Sequence, residues 1–134
     1  MDEEILSFQK LNSIDGGSTA VVVIKREYKL YVANCGDSSA VIISKNNCQK
    51  INRDHNTDNE EEIKTLEKRN AIILEYKKKL RINGELLVTR SFGDRKYKEF
   101  ITAEPEIATI DLKECSEFEY IALASDGFWN VNYC

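Results

Sequence analysis

Two aspartates stand where a carboxylate could bind a cation. Asp126 follows the apolar run of residues 120–125, "YIALAS", and Asp37 lies in "CGDSS", between two segments rich in β-branched residues. Strand ends and tight turns hold short side chains rigidly, and hard divalent cations prefer carboxylate oxygens. Aspartate is also among the commonest turn residues, so each position taken alone favours a turn over a metal ligand. Both interpretations stay open at this level.

Three β-rich segments lie close to Asp37 in the sequence. They cover residues 19–24, 29–34 and 40–44, and short turn-rich stretches separate them. This spacing predicts antiparallel hairpins in which the three segments are consecutive neighbouring strands. The first segment is an almost continuous Val/Ile run, which is typical of a strand that is buried on both faces.

The remaining elements complete a mixed pattern of helices and strands. Glutamates in the first turn and basic residues in the last turn predict a helix over 58–70, with Asp58 as its N-cap, and a shorter helix fits 2–11. Further strand-like segments flank the Asn83–Gly84 turn or cover 106–112 and 118–125. The pattern therefore predicts an α+β layered domain with mostly sequential strands.

The composition is that of a single globular domain. The chain has 134 residues, of which 42% are hydrophobic and 31% are charged. No apolar run reaches the roughly 18 residues that a membrane span needs. The first ten residues, "MDEEILSFQK", lack the basic region of a secretory signal. With a net charge of −4 and no basic stripe with interleaved aromatics, we expect neither nucleic acid nor a membrane as a partner.

The cysteines and the single histidine supply no recognisable zinc or redox motif. The four cysteines lack the close pairs that such motifs require. Cys35 lies in an apolar strand pattern and is expected to be a buried thiol. Reduced cysteines would fit an intracellular protein, cytoplasmic or nuclear.

Six short motifs follow one another in order along the chain. They are "GGSTA" (16–20), "ANCGDSSAVI" (33–42), "RDH" (53–55), "RINGELLVTRSFGD" (81–94), "AEPEI" (103–107) and "LASDGFWNV" (123–131). Each motif is weak alone. Their order and spacing resemble the metal-dependent serine/threonine protein phosphatases, the protein phosphatase 2C family, from about residue 17 to the last residue.

The resemblance implies both a fold and a reaction. The family fold is a central antiparallel β-sandwich flanked by helices, a four-layer α-β-β-α arrangement, which residues 1–134 would contain only incompletely, as a partial domain. The family holds two or more Mn²⁺ or Mg²⁺ ions at one end of the sandwich. A metal-bound water attacks a phosphoserine or phosphothreonine, so phosphoprotein substrates are the implied partners.

The resemblance also gives the two aspartates their roles. Asp126 matches the aspartate that ligates a core metal, and Asp37 matches the aspartate that, together with Asp126, holds a further and weaker metal. A site of this kind generates a hydroxide near neutral pH and neutralises the charge that builds on the phosphoryl group. No residue of this chain matches a catalytic group other than these two metal ligands.

Several side chains next to these motifs are predicted to be structural. His55 is expected to be a structural or surface histidine rather than a general acid, and Arg90 a buried hydrogen-bonding arginine rather than a phosphate clamp. Asp94 is expected to cap backbone amides near the site. Phe128 and Trp129 are expected to be core aromatics.

The family pattern is incomplete in this sequence. The family's Asp-Gly-His-Gly-Gly segment supplies a bridging aspartate, a glycine carbonyl ligand and the general-acid histidine, whereas Asp15-Gly16 is followed here by Gly and Ser. The family's Asp-Asn motif would lie after residue 134, and Ser39 stands where the family usually has arginine. Tight divalent sites need several protein oxygens, so we expect the chain alone to bind no ion or one.

Two functions are compatible with this incomplete pattern. The favoured one is an active phosphatase of which this chain is a fragment that is itself inactive. The alternative is a non-catalytic relative that uses the sandwich as a binding module for partner proteins. An Asp-Gly-His-Gly-Gly segment upstream in the reading frame would support the first. A half-length domain would also expose sheet edges and apolar surface, which predicts self-association of the isolated chain.

Overall fold

A computed structural model describes residues 1–113, 118–129 and 131 of the chain. The helices are α1 (Asp2–Asn12), α2 (Glu60–Lys68) and α3 (Asp126–Trp129), with a 3-10 turn at Arg95–Tyr97. The strands are β1 (Gly17–Ser18), β2 (Ala20–Arg26), β3 (Lys29–Cys35), β4 (Ser39–Ser44), β5 (Asn47–Lys50), β6 (Ile73–Tyr76), β7 (Lys79–Ile82), β8 (Phe92–Gly93), β9 (Glu106–Asp111) and β10 (Phe118–Ala124). Within these described residues, no helix is long and apolar enough to cross a membrane.

Two three-stranded antiparallel sheets form a sandwich. One sheet has the order β2-β3-β9 and the other has the order β10-β4-β5. The main core lies between them, where Leu30 and Val32 of β3 pack with Ala40 and Ile42 of β4 and with Ile51. The predicted α+β class with antiparallel sheets is confirmed.

The prediction that the first three β-rich segments are consecutive neighbouring strands is right for the first two and wrong for the third. Strands β2 and β3 pair as expected, but β3 pairs on its other side with β9, and β4 belongs to the opposite sheet. Both β3 and β4 carry side chains that must be buried, and the sandwich places these side chains against each other in one core. A hairpin would have placed the two strands side by side in the same sheet.

Strand β2 is not buried on both faces. Val21 and Val23 pack against the core, whereas Val22 is 50% exposed and Ile24 is 60% exposed. The alternation follows from the two-residue period of a strand that covers the core with one face only. The expectation drawn from the Val/Ile run is therefore wrong for the described chain.

Helix α2 is shorter than predicted and has a different N-cap. Its cap is Asn59, whose Oδ1 accepts a hydrogen bond from the Glu61 backbone N–H at 3.0 Å, and not Asp58. The helix buries Leu66 in a second core cluster that is separate from the sandwich. The other buried members of this cluster are Ile82, Tyr97 and Ile101.

Tight turns lie at both ends of β7, and the one at Asn83–Gly84 was predicted. Asn83 and Gly84 follow β7 with φ values of 52° and 75°. Lys77 and Lys78 connect β6 to β7 with φ values of 52° and 64°, and paired positive φ values suit the two-residue turn of an antiparallel hairpin. The basic run at 76–81 thus forms part of a hairpin whose turn residues are exposed.

The cysteines are only partly as predicted. Cys35, on β3, is 2% exposed and is a free thiol, and burial raises its pKa to about 11. The expectation of a buried Cys35 thiol is confirmed. Cys48, on β5, is disulfide-bonded, so the expectation that all the cysteines are reduced is wrong.

Candidate metal centre

The turn between β3 and β4 fixes the position of Asp37. Gly36 has a φ of 108°, and a Cβ atom there would lie 2.2 Å from the Thr19 side chain, so the turn requires glycine. Thr19 and Ser38 share a hydrogen bond between their hydroxyls at 2.7 Å, which ties the turn to the chain preceding β2. Asp37 is therefore carried on a tightly held piece of backbone.

Strand pairing brings Asp126 to the same place. Strand β10 runs antiparallel to β4, and its last residue, Ala124, is paired with Ser39, the first residue of β4. Asp126 follows two residues later, while Asp37 precedes Ser39 by two. The indole Nε1–H of Trp129 donates to the Ala124 carbonyl at 3.0 Å and closes this end of β10. The two predicted metal ligands thus lie at one end of the sandwich.

Asp37 and Asp126 both line a cleft of about 250 Å³, which we call the acidic cleft. Both also border a second cavity of about 490 Å³, which extends toward Thr19 and Asp94. The charged groups that line the acidic cleft are four carboxylates and two ammonium groups, from Asp37, Asp54, Asp58, Asp126, Lys50 and Lys79. Negative charge is therefore in excess.

The two lysines neutralise the other two carboxylates. Lys50 Nζ lies 2.6 Å from Asp54, and Lys79 Nζ lies 3.5 Å from Asp58. In the part of the chain that the structure describes, no lysine or arginine lies within salt-bridge distance of Asp37 or Asp126. The two predicted metal ligands are thus the carboxylates of the cleft that lack a cationic partner.

The electrostatics of Asp37 reflect this excess. Burial raises the pKa of the Asp37 carboxyl, and the negative charge of Asp126 raises it further. Keeping Asp37 ionised near neutral pH therefore costs free energy. A divalent cation held by these carboxylates would offset that cost.

The donor type fits a hard divalent cation, but the described residues supply few donors. Within residues 1–113, 118–129 and 131, no group of three or more His, Cys, Asp and Glu side chains is arranged to hold a metal ion. Two carboxylates alone do not make a tight site, because Mg²⁺ and Mn²⁺ need several oxygen ligands. Asp37 and Asp126 would be two ligands of a larger set.

His55 and Arg90 are structural, as predicted. The His55 side chain has no exposed surface, and both ring nitrogens are hydrogen-bonded within the protein, to Gly36 and to Glu106. Arg90 donates from Nη2 and Nε to the carboxylate of Glu62 on α2, at 2.6 and 3.2 Å. Neither side chain lines the acidic cleft.

The predictions for Asp94 and Phe128 are wrong. The carboxylate of Asp94 accepts a hydrogen bond from the Ser91 hydroxyl at 2.5 Å and does not cap the 3-10 turn that follows it. Phe128 is 50% exposed, because the short helix α3 lies at the surface. Trp129 is partly buried and forms one wall of the acidic cleft.

The two lysine–aspartate pairs at the cleft were not predicted. Lys79 comes from the β6–β7 hairpin and Asp58 from the chain before α2, so no motif spacing connects them. Lys50 and Asp54 are four residues apart, but at the end of β5 rather than on a helix. Only the tertiary fold shows which carboxylates of the cleft are already neutralised.

Comparison with known proteins agrees with this arrangement. The family model described as "Protein phosphatase 2C" matches residues 1–132. The chain belongs to the protein phosphatase 2C family. It is 38% identical over 130 residues to "Probable protein phosphatase 2C 59" of Arabidopsis thaliana, across 97% of this chain and 41% of that protein. It is 36% identical over 132 residues to a rice (Oryza sativa subsp. japonica) relative of the same name, across 97% of this chain and 39% of that protein.

Solved structures give the same fold. A C. elegans sex-determining protein superposes with a TM-score of 0.89 at 28% identity, over 98% of this chain and 32% of that one. The serine-threonine phosphatase 2C of Toxoplasma gondii superposes with a TM-score of 0.80 at 21% identity, over 98% of this chain and 48% of that one, which shows the fold alone. This phosphatase 2C chain spans less than half the length of these relatives.

Proposed function

We propose that this chain is the central part of a metal-dependent protein serine/threonine phosphatase domain. The domain would hydrolyse phosphoserine or phosphothreonine in phosphoprotein substrates. The observation that carries the proposal is the pair Asp37 and Asp126, which share one cleft, lack cationic partners and repel each other in a chain of this family. Charge of this kind is expected where a cation binds during function.

Asp37 and Asp126 would serve as metal ligands, with Mn²⁺ or Mg²⁺ as the proposed ions. When bound, such an ion supplies a polarised water near neutral pH and neutralises charge on the phosphoryl group. The contribution of this chain is to bind and orient. The Gly36 turn and the end of β10 hold the two carboxylates on one wall of the cleft.

We infer that the 134-residue chain alone has little or no activity, because its described residues supply only two free carboxylates to the site. The assay is hydrolysis of a phosphothreonine peptide in the presence of Mn²⁺. Robust turnover that a chelator abolishes would show that the ligands within this chain are sufficient.

The role of Asp126 is tested in the longest natural protein that contains this sequence. Asp126→Asn should lower Mn²⁺-dependent turnover at least about a hundredfold, because several kcal/mol of charge stabilisation depend on the ion. The matched control is Asp58→Asn, which alters an aspartate of the same cleft that already pairs with Lys79. Its turnover should stay near the wild-type value. Equal turnover in the wild type and both variants would show that Asp126 is a turn residue that binds no catalytic metal.

A non-catalytic binding module is the alternative, and the small number of ligands among the described residues favours it. This alternative gains support if the longest natural protein shows no Mn²⁺-dependent turnover while it still folds. In that case the Asp126→Asn and Asp58→Asn variants should both bind partner proteins as the wild type does.

We also propose that the isolated chain self-associates through the outer face of the β2-β3-β9 sheet. Val22, Ile24 and Ile107 on this face are 50%, 60% and 62% exposed. Because exposed apolar surface favours association, size-exclusion chromatography should show species larger than a monomer at high concentration.

An intracellular location is a further proposal. The sequence-based reason for it was that all the cysteines are reduced, and the Cys48 disulfide removes that reason.

A further inference from the structure

The imidazole of His55 contacts the backbone of the turn that carries Asp37. The backbone N–H of Gly36 donates to the ring nitrogen Nδ1 of His55 at 3.2 Å, and the backbone N–H of His55 donates to the Gly36 carbonyl at 3.0 Å. His55 has no exposed surface, so water does not compete for either bond. The two residues thus form a reciprocal pair at the residue directly before Asp37.

These contacts define the hydrogen-bonding state of the ring. A backbone N–H can only donate, so Nδ1 must be the acceptor, and the side-chain amide of Asn34, which also points a donor at Nδ1 from 3.5 Å, agrees with this. Nε2 therefore carries the hydrogen and donates to Glu106 Oε2 at 3.0 Å. The ring links the turn to β9 in one tautomer only.

Glu106 is held in place as the acceptor. Burial alone would raise the pKa of Glu106, but hydrogen bonds from His55 and Arg53 outweigh that effect and hold the pKa below its usual range. Arg53 Nη2 lies 3.0 Å from the same oxygen that accepts from the imidazole. The ring orientation is thus fixed from the side opposite to Gly36.

The Gly36 N–H and carbonyl are supported unequally. The carbonyl accepts one hydrogen bond from the backbone N–H of His55 and another from the side-chain amide of Asn34, whose Nδ2 lies 2.9 Å away. The acceptor that the structure gives to the Gly36 N–H is the His55 ring. Loss of the imidazole acceptor would therefore free the amide that immediately precedes Asp37.

We propose that His55 is a positioning residue for the cation site, which acts by fixing the Gly36 amide and so the direction of Asp37 toward Asp126. The cation part of this inference rests on the proposed function, whereas the fixing of the turn does not. Partners of this kind orient metal ligands without contacting the ion, and their loss lowers metal affinity.

Two substitutions separate positioning from packing in the 134-residue chain. His55→Asn places an amide oxygen near the position of Nδ1 and keeps an acceptor for Gly36, but it loses Glu106. His55→Gln places an amide nitrogen near the position of Nε2 and keeps a donor for Glu106, but it loses the acceptor for Gly36. Both remove the buried ring, and Asn leaves the larger cavity, so a packing role predicts an effect in His55→Asn at least as large as in His55→Gln.

Amide hydrogen exchange measured by NMR reports directly how well the Gly36 amide of the turn is protected. Relative to the Val32 amide of the same variant, Gly36 should exchange about five- to tenfold faster in His55→Gln, the loss expected for one buried hydrogen bond. His55→Asn should change this ratio about twofold or less. In the wild type, the imidazole ¹⁵N spectrum should show a bare Nδ1 and a protonated Nε2. A change in His55→Asn at least as large as in His55→Gln, or a protonated Nδ1 in the wild type, would overturn the proposal.

Addition of Mn²⁺ to the same substitutions in the longest natural protein that contains this sequence tests the link to the cation. Paramagnetic broadening should centre on Asp37 and Asp126, and the apparent Mn²⁺ affinity should weaken about tenfold in His55→Gln but not in His55→Asn. Broadening that is absent from both aspartates in the wild type would contradict the proposed cation site. The exchange ratios would still decide the positioning role, because they need no metal.

Discussion

The acidic cleft and the Glu62–Arg90 pair differ in whether a partly buried carboxylate has a cationic partner within the chain. Glu62 is 7% exposed and receives two hydrogen bonds from the guanidinium of Arg90 and one from the Thr89 hydroxyl. Burial alone would raise the pKa of Glu62, but these bonds hold it below its usual range. Asp37 has no cationic partner among the described residues, and burial together with Asp126 raises its pKa.

On the proposed function, the difference separates charge that stabilises the fold from charge that binds a ligand. A carboxylate whose partner is within the chain stabilises one packed arrangement, and removing that partner leaves a buried charge uncompensated. A carboxylate without a partner costs free energy until a cation arrives from outside. Sites of function are where such unfavourable arrangements are expected to persist.

The largest effect should come from breaking the internal pair. Arg90→Ala leaves the Glu62 carboxylate buried and unpaired, so the free energy of unfolding should fall by about 3 kcal/mol in urea denaturation. Arg90→Lys keeps a charge but loses the two-pronged geometry, and its loss should be smaller. Equal stability of Arg90→Ala and the wild type would show that the pair contributes little to the fold.

The pH dependence of stability should differ in sign between the two regions. The pKa of Glu62 is lowered in the folded protein, so its stabilisation is present above its unfolded pKa and is lost as pH falls through the folded pKa. Wild type minus Glu62→Gln should therefore show a stability difference that shrinks on acidification. The pKa of Asp37 is raised, so the wild type should be less stable than Asp37→Asn near pH 7, and this deficit should close as pH falls. Urea titrations at several pH values between about 3 and 7 measure both differences.

The smallest effect concerns Asp37 without metal. Asp37→Asn removes one of two charges that repel each other and keeps a residue that suits turns, so Tm should rise by about 1–3 °C in a chelator. Asp37 is partly exposed, and solvent screening keeps the change small. Asp54→Asn, which removes the partner of Lys50, is the control and should not raise Tm. A fall in Tm for Asp37→Asn would mean that the carboxylate supports the turn.

The sequence was sufficient for several helices and strands and for the placement of the two aspartates beside strand ends, because these depend on local patterns. The predicted helix over 58–70, the Asn83–Gly84 turn and the strand at 106–111 all have local signals of capping, turn chemistry or alternation. Ordered motifs likewise pointed to Asp37 and Asp126, which the structure brings to one cleft.

The remaining features depend on contacts between distant parts of the chain. The crossing of β4 to the opposite sheet follows from core packing, and the bond from His55 to Glu106 joins residues 51 positions apart. Asp94 was expected to cap backbone amides, but its carboxylate accepts a hydrogen bond from the Ser91 hydroxyl instead. Side-chain partners of this kind have no period or spacing in the sequence.

Thermal unfolding of the longest natural protein that contains this sequence, with and without Mn²⁺, tests most directly whether the acidic cleft needs an external cation. In a chelator, the double variant Asp37→Asn/Asp126→Asn should melt at or above the wild-type Tm, because it lacks the mutual repulsion of the two carboxylates. Added Mn²⁺ should raise the wild-type Tm progressively with concentration, since a ligand that binds only the folded state stabilises it, and should leave the double variant unchanged. The same response to Mn²⁺ in both proteins, or none in either, would contradict the account.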